Sequence, residues 1–130
     1  MKKPALIFAA LAISGCSIEP TKEDIARADY GPPVSAASAE EAARAFMQGK
    51  LKDPYSTVWV CDTTEPQKKN IGILGSTVYG WSFTCKINSK NSFGAYVGEH
   101  YFQFIINNGK VLRAVESKER DGFPENVYNE

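Results

Sequence analysis

Few side chains in this chain are equipped for chemistry. It has three cysteines (Cys16, Cys61 and Cys85) and a single histidine, His100. No Cys-x-x-Cys motif is present, and aromatic neighbours would raise thiol pKa values, so the cysteines are not a redox pair. His100 follows Glu99, but adjacent strand residues point to opposite faces, so Glu99 cannot orient it. The reading for His100 is a histidine near a strand start at the surface. There is no Gly-x-Ser-x-Gly nucleophile elbow. A metal centre would have to combine one imidazole with distant carboxylates, so no metal and no cofactor are expected. Gly94-x-x-x-Gly98 lacks the Gly-Lys-Ser/Thr of a phosphate loop. The same stretch still offers a ligand or partner loop. Asn88, Lys90, Asn91 and Ser92 could hold a polar ligand such as a glycan, with Phe93 and Tyr96 as stacking surfaces. The alternative is that its glycines make tight turns while the aromatics plug the end of a sheet.

The N-terminus accounts for one cysteine. Met1-Lys2-Lys3 precedes an apolar run from Ala5 to Ile13, the pattern of a secretory signal. As a helix that run spans about 14 Å, half of a hydrocarbon core of ~30 Å, too short for a permanent span. Ile13-Ser14-Gly15-Cys16 resembles the lipobox of bacterial lipoproteins. The resemblance implies a signal peptide over 1–15, cleavage before Cys16, diacylglycerol on its sulfur and acylation (palmitate, for instance) of the new amine. Several acyl chains anchor far more firmly than one. Ser17 in place of aspartate implies, by the sorting rule of enteric bacteria, the outer membrane, with the domain on the periplasmic face. The whole chain balances 15 basic against 15 acidic residues, and removal of Lys2 and Lys3 leaves it formally at −2. That charge excludes a broad electrostatic claim on nucleic acid or on anionic lipid.

The elements that must position these residues follow from periodicity. Residues 16–36 are polar and proline-containing and read as a flexible tether, with a weak helix at 21–28 capped by Thr21 and Asp24. Ser38 with Glu41 forms a capping box that opens a helix from Ala39 to Leu51, its Ala43, Phe46, Met47 and Leu51 on one face. Pro54 ends it. Period two then takes over. Thr57, Trp59 and Cys61 share one strand face, and Tyr79, Trp81, Phe83, Cys85 and Ile87 share another. If these strands pair, Cys61 and Cys85 point to one interior, and a disulfide between them contributes roughly 3–4 kcal/mol. Asn108-Gly109 signals a type I′ hairpin in which Ile106 faces Val111, Phe104 faces Arg113 and Phe102 faces Val115. In that register Arg113 falls on the apolar face, stacks on Phe104 and reaches solvent. Residues 62–76 read as a loop and 118–130 as a polar tail.

The sequence thus predicts an α+β domain over 37–117: one N-terminal helix on a small antiparallel sheet of three to five strands, stapled by one disulfide. The expected core is Phe46, Met47, Leu51, Trp59, Trp81, Phe83, Phe102, Phe104, Ile106, Val111 and Val115. Leu51-Lys52-Asp53-Pro54-Tyr55-Ser56, the run from Asn88 to Gly98, and Ala28-Asp29-Tyr30-Gly31-Pro32 are together similar to a family of small, uncharacterised proteobacterial lipoproteins, in which glycine occupies position 95. The resemblance implies an envelope lipoprotein and transfers no catalytic residue. The functional expectation is a non-catalytic binding or envelope-assembly module with a protein or glycan partner. A periplasmic enzyme inhibitor, and less readily a small hydrolase using His100, are the alternatives.

Overall fold

The computed structural model describes residues 19–73 and 75–130. The expected signal peptide over 1–15 and the expected lipidation site Cys16 lie outside them. Two helices, α1 (Lys22–Arg27) and α2 (Ala36–Gln48), precede a short 3-10 turn at Pro54–Ser56. Six strands follow: β1 (Val58–Cys61), β2 (Gln67–Ile73), β3 (Ser76–Lys90), β4 (Tyr96–Asn107), β5 (Lys110–Ser117) and β6 (Asn126–Asn129). They form one antiparallel sheet ordered β1-β3-β4-β5-β6. Because β3 is 15 residues long, its outer edge pairs with two strands in succession: β1 against 85–88 and β2 against 76–82. The chain is therefore mostly β, with more strands than the expected three to five.

Several boundaries differ from the sequence expectation. Helix α2 starts three residues early, because Ser35 is as good a cap as Ser38; its Oγ accepts the Ser38 N–H at 3.2 Å. It stops at Gln48 with Gly49 as its C-cap, short of Leu51. Strand β2 lies inside the expected loop 62–76. Its outer edge is unpaired and Gln67, Lys68 and Lys69 are exposed, so no apolar alternation marks it. Strand β6 lies in the expected tail 118–130 and pairs with β5 from Arg113↔Asn129 to Glu116↔Asn126. The expected tether over 16–36 is also shorter than proposed. Thr21 and Asp24 close the capping box of α1, and the segment after α1 is fastened to the sheet. Asn107 Nδ2 donates to the Asp29 carbonyl at 2.7 Å, Trp81 Nε1 donates to the Gly31 carbonyl at 3.1 Å, and Tyr30 meets Tyr79 edge-on at 5.7 Å.

One extra residue decides what faces the core. The β4–β5 turn has positive φ at Asn108 and Gly109, as a type I′ turn requires. Ile106 pairs with Val111, but Ile105 pairs with Arg113, so Leu112 is left over as a bulge. Beyond it Phe104 faces Ala114 and Phe102 faces Glu116, correcting the expected partners Arg113 and Val115. The α2 side of the sheet buries Phe83, Cys85, Ile87, Phe102, Phe104, Ile106, Val111 and Ala114 against Ala39, Ala43 and Met47. Phe46, Leu51 and Trp59 pack at its margin, Trp81 is half-buried, and Val115 is buried on the other face. The Cys61–Cys85 disulfide joins directly opposed residues of β1 and β3 within this core.

Arg113 goes to the face away from α2, where it is 4% exposed. Its Nε donates to Asn129 Oδ1 at 2.8 Å, its Nη1 to the carbonyls of Ile71 (2.8 Å) and Ser76 (2.9 Å), and its Nη2 to Ser76 Oγ at 3.2 Å. The guanidinium thus ties β5 to the β2–β3 hairpin and curls the sheet over Ile105, which is fully buried. Burial lowers its pKa from the usual arginine value, while four neutral acceptors take four of its five N–H groups.

Candidate partner-binding end of the sheet

The expected ligand loop is the turn between β3 and β4, and most of its polar groups hold the turn itself. Asn91 Oδ1 accepts the N–H groups of Phe93 (2.9 Å) and Ala95 (3.2 Å), while its own N–H donates to the Ala95 carbonyl at 2.8 Å. Asn88 Oδ1 accepts the Gly98 N–H at 3.1 Å, where the β3–β4 register shifts. Gly94, with φ of 81°, makes the tight reversal. Ala95 is not among the positive-φ residues, so the glycine of the family pattern is not required there. The side-chain oxygens of Asn88 and Asn91 thus serve the turn's own backbone.

The two most distinctive sequence motifs meet at this end. Tyr96 donates its hydroxyl to the Ser56 carbonyl at 2.9 Å, and Lys52 Nζ reaches Ser92 Oγ at 2.5 Å. Lys90 Nζ lies 5.2 Å from the Tyr96 ring centroid. The Asp53 carboxylate accepts both the N–H (3.3 Å) and the hydroxyl of Ser56, capping the 3-10 turn. These bonds to Ser56 hold its pKa below the usual aspartate value. The Pro54 turn aims Tyr55 outward, and the loop aims Phe93 outward. They are 92% and 96% exposed respectively. Tyr96, Val58, Val60 and Val97 are about half exposed.

A shallow cleft of about 280 Å³ runs from Tyr55 to α2, lined by Leu51, Pro54, Trp59, Arg44 and Gln48. The Arg44 guanidinium stacks 4.8 Å from the Trp59 ring and is held by Glu40 at 2.8 Å. Beside the cleft, β1 presents an unpaired edge. This end thus combines outward-facing aromatic rings, half-exposed valines and an open strand edge. Tyr55 was absent from the sequence-based site. Its signal was available, because a tyrosine directly after a turn-forming proline has no strand neighbour to cover it.

His100 does have a carboxylate partner, though not Glu99, which pairs with Lys86 at 3.3 Å. Its Nδ1 lies 2.7 Å from Glu116 Oε1, and Glu125 is 3.9 Å away. The other Glu116 oxygen accepts from the Tyr128 hydroxyl at 2.9 Å and from Asn126 Nδ2 at 3.0 Å. Partial burial and the Glu116 carboxylate push the Tyr128 pKa up to about 12. This network fastens β6 to β5 and β4. Among the described residues, no group of three His, Cys, Asp or Glu side chains is placed to hold a metal ion. No helix among them is long and apolar enough to cross a membrane.

No protein-family model, curated protein or solved structure matches this chain.

Proposed function

We propose that this chain is a lipid-anchored periplasmic lipoprotein of the outer membrane, of the small proteobacterial family it resembles, and that it acts as a non-catalytic module binding another envelope protein. The lipobox at Cys16 and the Ser17 that follows support the anchor and its membrane. The observation that carries the binding role is the full exposure of Tyr55 and Phe93 on hydrogen-bonded loops. An exposed phenyl ring forgoes about 2–3 kcal/mol of burial, which a partner surface recovers. Because Asn91 and Tyr96 already order the loops, little conformational entropy is lost on docking. Aromatic anchors ringed by half-exposed aliphatics are the usual centre of a protein interface. A protein is favoured over a glycan because three valines and an open strand edge accompany the rings. The inhibitor alternative uses the same apex, with Phe93 entering an enzyme cleft.

Two measurements test the reading. Mass analysis of the N-terminal peptide should find acyl chains on Cys16, and Cys16→Ser should release the protein from the membrane fraction. Photocrosslinking in cells from position 93 should capture a defined protein, and Tyr55→Ser should reduce that capture at least tenfold with no loss of thermal stability. Capture insensitive to Tyr55→Ser, or binding to purified glycan alone, would overturn the protein-partner reading.

A further inference from the structure

The two ends of β3 face different surroundings. Cys16 is three residues from Glu19, at most about 11 Å of extended chain. Glu19, Pro20 and Ile25 line a cavity together with Asn70 and Gly72 of β2. Gly72 pairs with Thr77, near the start of β3. The chain leaving α1 stays at this end, fastened through Asp29 to Asn107 and through Gly31 to Trp81. Lys68 Nζ lies over the Tyr30 ring at 5.4 Å and closes the same corner. The aromatic end lies at the other terminus of β3. Lys90 is thirteen residues beyond Thr77, about 40 Å at strand spacing.

From this the geometry points to a preferred mounting: the β2–β3 hairpin end faces the bilayer, and the Tyr55–Phe93 end stands up to about 40 Å away from it. The inference rests on the lipid anchor proposed above. It narrows the partner to a periplasmic protein whose docking surface stands well clear of this membrane. The rim of a protein embedded in the same bilayer would be met by the wrong end. The two residues between Cys16 and Glu19 leave too little chain for the domain to turn over and present Phe93 to the lipid while α1 stays beside β2.

The test uses the chain beginning at Cys16. With Cys61 and Cys85 joined, Cys16 is its one free thiol and couples specifically to a maleimide-headgroup lipid in phosphatidylethanolamine–phosphatidylglycerol vesicles. A fluorescent amino acid is placed at exposed position 69 or at position 93, and a spin-labelled headgroup serves as quencher. Quenching at 69 should exceed that at 93 severalfold. Equal quenching, the signature of a domain lying flat, or the reverse order would overturn the mounting. Because the coupling is chemical, this outcome is separate from acylation in cells, which the N-terminal peptide mass reads on its own.

Discussion

Replacing Cys61 and Cys85 together by alanine should remove a large fraction of the stability of this domain. The bond spans 24 positions, for which loop entropy gives about 3.5 kcal/mol. Cys85 is fully buried in the core, and losing its sulfur adds about 1 kcal/mol. The total is about 4–5 kcal/mol, against ~5–15 kcal/mol for a typical domain. At ~2.1 cal/mol/K per residue over about 110 residues, that loss lowers Tm by roughly 17–22 °C. Circular dichroism during heating and during urea titration measures both quantities. The m-value of the variant should rise, because the unlinked denatured chain exposes more surface. Reduction of the parent protein, followed by thiol counting, isolates the entropic part. A loss below about 1 kcal/mol, with the bond verified by mass in the parent, would refute the reasoning. It would mean that the denatured chain already holds 61 beside 85 through residual pairing of β2 with β3.

Further outcomes follow from single side chains. A Cβ at Gly80 would sit 2.4 Å from the Ile106 carbonyl oxygen, a backbone atom, so Gly80→Ala should cost about 1–3 kcal/mol in urea denaturation. Arg113→Lys should destabilise by about 2 kcal/mol, since one ammonium cannot reach Asn129, Ile71 and Ser76 together; equal melting temperatures would show that the staple is not needed. Tyr128 should titrate near pH 12 in an ultraviolet titration, and Tyr128→Phe should remove that component. Its folded pKa is raised above the usual value of about 10, so its stabilising contribution is complete below pH ~10 and is lost as the pH climbs toward about 12. Asn91→Ala should cost only about 1 kcal/mol of stability, because the turn is exposed, yet weaken partner capture more strongly by loosening Phe93.

Elements with strong periodicity were legible in the sequence, and those defined by their partners were not. Tyr79 to Ile87 alternates cleanly, and β3 is found there; Asn108-Gly109 made the type I′ turn readable. The pairing of Cys61 with Cys85 followed from two face assignments that the structure bears out. Strands β2 and β6 were missed because each pairs along only one edge and buries little of its own surface. The bulge at Leu112 was unreadable for a different reason. Val111, Leu112, Ala114 and Val115 are all apolar, so the sequence carries no contrast to mark a one-residue slip. The buried fate of Arg113 depended on that slip. At the β3–β4 loop the sequence showed the polar and aromatic residues but not their bonding: asparagine oxygens serve their own backbone, and Tyr55 of the neighbouring motif adds a second exposed ring beside Phe93.

The docking of Asp29–Gly31 onto Trp81 and Asn107 also has a kinetic meaning. Residues that leave the ribosome early find their hydrogen-bond partners 50 and 78 positions later. Strand β6, which completes the sheet, is the last element to appear. Such separations raise contact order and slow folding. The segment at 29–31 therefore has nothing to dock on until β3 and β4 have been synthesised. If the chain is exported as proposed above, this late closure keeps its N-terminal segment free of the fold during passage.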